Sequence, residues 1–114
     1  MDFLVIGLDR PDGGRRRQEL RLAHLEYVAD KQDRLKYGGP LLDGDGRATG
    51  SVLILSFQDR AALDAHLGGD PYFRDGLFEA VFIRETRQVV PEAAPGQLAA
   101  EIARQKATGS GVAG

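Results

Sequence analysis

Few residues of this chain can move protons near neutral pH. Among 114 residues there are two histidines, His24 and His66, and no cysteine. Imidazole titrates close to neutrality, and a half-buried one is the usual poised acid or base. His24 lies in a long run of helix formers, at the edge of an apolar stripe containing Leu20, Val28 and Leu35. Its plainer role is a boundary histidine hydrogen-bonded to backbone. His66 falls late in a second, short helix, where a cation suits the negative end of the helix dipole. Asp70 precedes Pro71, the pattern of an N-cap followed by proline at the first helical position. One of its oxygens can cap while the other orients the His24 imidazole and stabilises its charged form. Arg15, Arg16, Arg17 and Arg21 open the long helix, where they oppose its macrodipole. They read either as an anion-attracting rim or as a solvated charged face.

Other chemistries find no support. Without cysteine there is no thiol nucleophile and no thiolate zinc site. The histidines and carboxylates show no metal-ligand spacing, so no metal is expected. Gly44-Asp45-Gly46 sits between two strand-like runs rather than between a strand and a helix, which argues against a phosphate loop. No serine or threonine stands in a nucleophile-elbow context. Formal net charge is −2 and the strands offer Leu, Ile and Val rather than stacking aromatics, so nucleic acid is not an expected partner. No apolar run reaches the roughly 20 residues of a membrane span, and no basic n-region opens the chain. With 42% hydrophobic and 28% charged residues, the expectation is one cytoplasmic globular domain.

The elements that must position these residues follow from local pattern. Phe3-Leu4-Val5-Ile6, bounded by Asp9, Pro11 and two glycines, reads as a strand. Arg15 to about Lys36 contains no Gly or Pro and places Leu22, Leu25, Val28, Ala29 and Leu35 on one helical face. Gly38-Gly39-Pro40 would end that helix, and its bare backbone could let a ligand approach. Leu41-Leu42 and Ser51 to Phe57 flank a Gly/Asp-rich connection and read as a hairpin. Asp59 caps a short helix from Ala61 to Leu67, Asp70 caps one more turn, and Glu79 to Val89 forms a last strand. Residues 1–90 then make one domain. Residues 91–114 add an extension with a weak helix over about 97–107 and a Gly/Ser-rich end expected to fray.

The order β-α-β-β-α-β predicts an α+β, ferredoxin-like fold with helices on one face of a four-stranded antiparallel sheet. A sheet with one wet face should alternate apolar and polar residues. Here residues 3–6, 52–55 and 80–83 are apolar at consecutive positions, so both faces call for burial. Two large apolar residues on the C-terminal helix, Leu98 and Ile102, are too few to cover the second face. A homodimer packed sheet to sheet is expected.

Four stretches in this order complete the picture: Arg21-Leu22-Ala23-His24-Leu25, Gly38-Gly39-Pro40-Leu41, Gly50-Ser51 before an apolar strand, and Asp70-Pro71-Tyr72-Phe73 running to Gly76-Leu77. Over roughly residues 2–88 the chain resembles the YCII-related (YciI-like) family of dimeric α+β barrel proteins. The resemblance implies two ferredoxin-like protomers closing a barrel, and a site made of a first-helix histidine and the aspartate of the Asp-Pro motif, here His24 and Asp70. It also implies chemistry like that of cofactor-free lyases and dehalogenases acting on ring compounds such as chlorinated hydroxyquinols. Fold alone does not carry activity across. The tail beyond Val89 is longer than the family's usual ending, and the Arg15-Arg16-Arg17 run has no counterpart in it.

Together these readings predict an enzyme without cofactor, moving a proton on a small anionic or phenolic ring substrate. His24 would transfer the proton and Asp70 would hold its ring, with Arg21, Ser51, Ser56 and Gly39 as substrate contacts. The alternative is a homo-oligomeric protein that binds a small ligand without turning it over.

Overall fold

The computed structural model describes residues 1–109; the end expected to fray falls at residues 110–114, outside the described residues. Strand β1 (Asp2–Asp9) leads into helix α1 (Gly13–Ala29), a 3-10 turn (Gln32–Arg34), strand β2 (Leu35–Leu42) and strand β3 (Ala48–Ser56). Helices α2 (Arg60–Gly69) and α3 (Pro71–Arg74), strand β4 (Phe78–Thr86) and helix α4 (Gln97–Thr108) follow. The strands form one antiparallel sheet in the order β2-β3-β1-β4, the ferredoxin-like arrangement.

Along β1, Phe3 and Val5 turn toward the helices, and across the ladder they pair with Leu55 and Leu53 of β3. With Leu63 and Leu67 of α2 these four make the main core. A second cluster, Tyr72, Leu77 and Phe78, lies where α3 turns into β4. Gly7 is required between them, because a Cβ there would stand 2.7 Å from the Phe78 ring. The opposite face carries Leu4, Ile6, Val52 and Ile54, all half-buried, beside Phe82 and Leu8, which are 55% and 45% exposed. Among the described residues this face stays only half-covered, and helix α4 buries no side chain.

The long helix is shorter than its sequence predicts. It stops at Ala29, and Leu35-Lys36-Tyr37 extends onto β3, with Leu35 opposite Leu55. Helix propensity favours Leu and Lys by only tenths of a kcal/mol per residue, less than a ladder with a half-buried leucine gains. Gly38-Gly39-Pro40 therefore lies inside a strand. Proline is tolerated there because β2 is at the sheet edge, where one row of amides needs no partner. The apolar stripe of α1 also behaves unexpectedly. Leu22 is 70% exposed and Leu25 44%, whereas the buried positions of α1 are Gly13 and Arg17. The last strand ends at Thr86 rather than Val89. Helix α4 buries no residue. No helix among the described residues is long and apolar enough to cross a membrane.

Candidate active site

Because α1 ends early and β2 begins at Leu35, a gap opens between that helix and the β2-β3 edge of the sheet. It forms a cavity of about 1000 Å³. Leu25, Val28 and Ala29, which the sequence assigns to the core, line it instead and meet Leu35 and Leu53 across it. Gly38 borders it with bare backbone; a Cβ there would stand 3.2 Å from Leu53. His24 and Tyr72 also line it, near the middle of the α1 wall.

The His24 Nδ1 lies 2.8 Å from Asp70 Oδ1. The same Oδ1 accepts the Tyr72 amide at 3.0 Å, capping α3. One oxygen thus performs both duties that the sequence divides between two. Oδ2 is buried and has no hydrogen-bond partner. A carboxylate accepts, so Nδ1 carries the proton toward Asp70 and Nε2 is the basic nitrogen. Nε2 bonds to no other described residue and belongs to a cavity-lining ring. Asp70 is fully buried, and Oδ1 carries both of its hydrogen-bond contacts, to His24 and to the Tyr72 amide.

Tyr72 fixes the plane of that imidazole. The rings stack with centroids 3.9 Å apart and 8° between planes. Burial pushes the Tyr72 phenol above its ordinary titration, against the opposing charges of Arg17 and Arg21, so it stays neutral. The Arg17 guanidinium lies 4.8 Å from the centre of the same ring. It bonds Asp9 twice at 2.8 Å and Ser51 Oγ at 3.0 Å. Burial works against its charge, but the hydrogen bonds and charge of Asp9 more than compensate, and its pKa is raised. Arg17 is therefore a fixed cation that ties β1, α1, β3 and α3 together beneath the His24-Tyr72 pair.

The arginine cluster separates by role. Arg15 pairs with Glu19 in solvent, Arg16 donates to the Asp75 carbonyl at 2.8 Å, and only Arg17 turns inward. Arg21, one turn before His24, lines the cavity, as do Ser51 and Gly39. Ser56 lies elsewhere: it pairs with Asp2 on the far face of the sheet, and its hydroxyl bonds that carboxylate. The Lys36 hydrogen bond, with that of Ser56, holds the Asp2 carboxyl below its ordinary titration.

His66 is not a helix-end cation. It is 7% exposed, its ring lies against those of Tyr27 and Phe57, and burial lowers its pKa below 6.5. Among the described residues no group of three or more His, Asp or Glu converges to hold a metal ion.

Sequence reasoning offered Arg17 only as one of four arginines of an anion-attracting rim, and gave Asp9 and Tyr72 no place in the site. A signal for Arg17 exists: it lies seven residues before His24, two turns along one helical face, so an inward histidine implies an inward arginine.

Known proteins share this framework. The YCII-related domain matches residues 1–87. The proteins named YciI in Escherichia coli and Shigella flexneri are each 31% identical over 97 residues, covering 78% of this chain and 99% of theirs. The 5-chloro-2-hydroxyhydroquinone dehydrochlorinase of Burkholderia phenoliruptrix, solved with 2,5-dihydroxybenzoquinone, is 29% identical. It superposes with a TM-score of 0.73 over 77% of this chain and 95% of its own. A domain match across most of the chain, relatives matched over nearly their whole length, and the ferredoxin-like sheet agree: the chain belongs to the YCII-related family.

Proposed function

We propose that the chain is a small-molecule enzyme that moves a proton on a ring compound at the His24-Asp70 pair. The single observation carrying this reading is the 2.8 Å contact between His24 Nδ1 and the buried Asp70 carboxylate, at the wall of a cavity. With Nδ1 committed to Asp70, Nε2 takes the proton of a ring hydroxyl. The electron pair left on oxygen forms a carbonyl while the ring carbon bearing the leaving group takes that proton back from Nε2 and becomes tetrahedral. A second ring hydroxyl then gives its proton to Nε2, and its oxygen pair forms a second carbonyl. The displaced pair makes a new ring double bond as halide departs with its own bonding pair. The second proton stays on the imidazole, where the Asp70 charge and the face of Tyr72 stabilise it, until solvent accepts it. The net change is loss of an acid HX, which needs no added reductant or cofactor.

Support for a lyase rather than another proton-transfer reaction comes from the dehydrochlorinase relative. Ser51 is the best-placed substrate contact. Arg17 occupies its oxygen as acceptor, so its own O–H is free to donate to a substrate oxygen. Arg21 and the backbone at Gly39 are further contacts. The working unit in this reading is a homodimer in which the Leu4, Ile6, Val52 and Ile54 face meets its copy.

Chloride release from a chlorinated hydroxyquinol tests the reading. His24→Gln should abolish release, and Asp70→Asn should slow it by roughly 10²–10⁴, the usual worth of a positioned acid-base group. Full turnover by His24→Gln would overturn the assignment.

A further inference from the structure

The cavity's charge is arranged for more than a neutral ring. No aspartate or glutamate lines it, although the whole chain carries a net charge of −2. Its cations are not equivalent. Asp9 neutralises Arg17, and Glu19 pairs with Arg15. Arg21 and Arg47 have no ion pair and no side-chain hydrogen bond among the described residues, yet both line the cavity. They approach from opposite walls, Arg21 from α1 and Arg47 from the β2-β3 turn. That turn is ordered by Asp43, whose carboxylate accepts the backbone amides of Asp45 and Arg47 at 2.9 Å each. Asp43 is thus engaged chiefly by amides, with the Arg47 charge a smaller influence on it.

These cations lie at one end only. Arg21, Arg47 and Ser51 belong to the end near the start of α1 and the start of β3, whereas Val28, Leu35 and Leu53 make the other end. Arg21 and Val28 are two helical turns apart, about 10 Å along the axis. That is the length of an acid group, a ring and a short apolar substituent.

We propose that the site takes an amphiphilic organic anion, with a carboxylate held between Arg21 and Arg47 and an apolar substituent against Val28, Leu35 and Leu53. The inference rests on this cavity being the substrate site and deepens that reading by naming the substrate class. The ring lies beside His24 and Tyr72, and the two ends fix its orientation.

The test uses para-butylbenzoate and its neutral isostere para-butylbenzamide, titrated calorimetrically into the full chain at low salt. The wild-type protein should bind the carboxylate about tenfold more tightly than the amide, since charge-assisted bonds are roughly twice as strong as neutral ones. In the double variant Arg21→Gln/Arg47→Gln the preference should shrink to within about twofold. In Arg60→Gln, an exposed cation outside the cavity, it should be unchanged. Both arginines are exposed, so the double variant should fold, which circular dichroism verifies. Equal binding of the two probes, no binding of either up to about 10 mM, or a preference that survives the double substitution would each overturn the proposal. The probes carry no ring hydroxyl, so these outcomes are independent of proton transfer by His24.

Discussion

Replacing Arg17 with methionine removes a cation that is 10% exposed from a carboxylate that is 5% exposed. Two bonds of 2.8 Å to Asp9 and one of 3.0 Å to Ser51 disappear together, and the volume of the side chain is largely retained. The main cost is then electrostatic: Asp9 is left buried without its partner. Breaking a buried ion pair from one side costs about 3–5 kcal/mol. A domain of this size is stable by about 5–15 kcal/mol, so the loss is a large share of the whole. With a urea slope of about 1–2 kcal/mol per molar, the unfolding midpoint should fall by roughly 1.5–5 M. Protomer concentration must be held fixed, because association would shift the apparent stability. The companion variant Asp9→Leu/Arg17→Met removes both charges and should recover most of the loss, since an apolar replacement of a buried pair is often neutral. That recovery also keeps the test decisive if Arg17→Met alone does not fold. A loss under about 1 kcal/mol in the single variant, or a double variant no better than the single, would refute the account of Arg17 as a buried anchor.

Two further outcomes follow from the same geometry. His66 should titrate below 6.5 in a proton NMR experiment, because burial among Tyr27 and Phe57 disfavours its charge although Asp70 pulls the other way. Because its folded pKa is depressed, its contribution to stability is present above 6.5 and is lost as pH falls through the folded value; a titration at or above 6.5 would contradict this. Ile6→Lys, on the half-covered sheet face, should convert a dimer into monomers in light scattering at micromolar concentration. Each large side chain covered there is worth about 1.5–3 kcal/mol, and a lysine stem cannot replace it beside a symmetric copy. An unchanged mass would show that this face is not the dimer interface.

The strand-helix order, the caps at Asp59 and Asp70 and the two apolar faces of the sheet were legible because each rests on local spacing or on residue types with one dominant local use. Both caps accept a backbone amide from the first turn of their helix, Ala62 and Tyr72 respectively. His24 and Asp70 were legible as candidates by chemical type, and their family resemblance named them as a pair. Their contact, however, joins residues 46 positions apart and exists only because α1 crosses the sheet beside α3. Local propensity could not locate the end of α1. From Arg15 to Lys36 there is no Gly or Pro to stop a helix, and the ladder offered by β3 draws Leu35 into a strand.

That one shift created the cavity and changed the meaning of Leu25 and Val28 from core to lining. Ser56 and Ser51 look alike in sequence, two polar residues on one apolar strand five positions apart. An odd spacing on a strand sends them to opposite faces, and only the sheet decides which face holds the site. Arg17 could not be separated from Arg15 and Arg16 by charge, since helix rotation against Asp9 and Tyr72 is a property of packing. The sequence by itself determined the elements, the caps and the chemical candidates, because those depend on neighbours within a few residues. Which candidates meet, and around what cavity, was decided by tertiary structure, because burial and long-range pairing overrule preferences worth tenths of a kcal/mol.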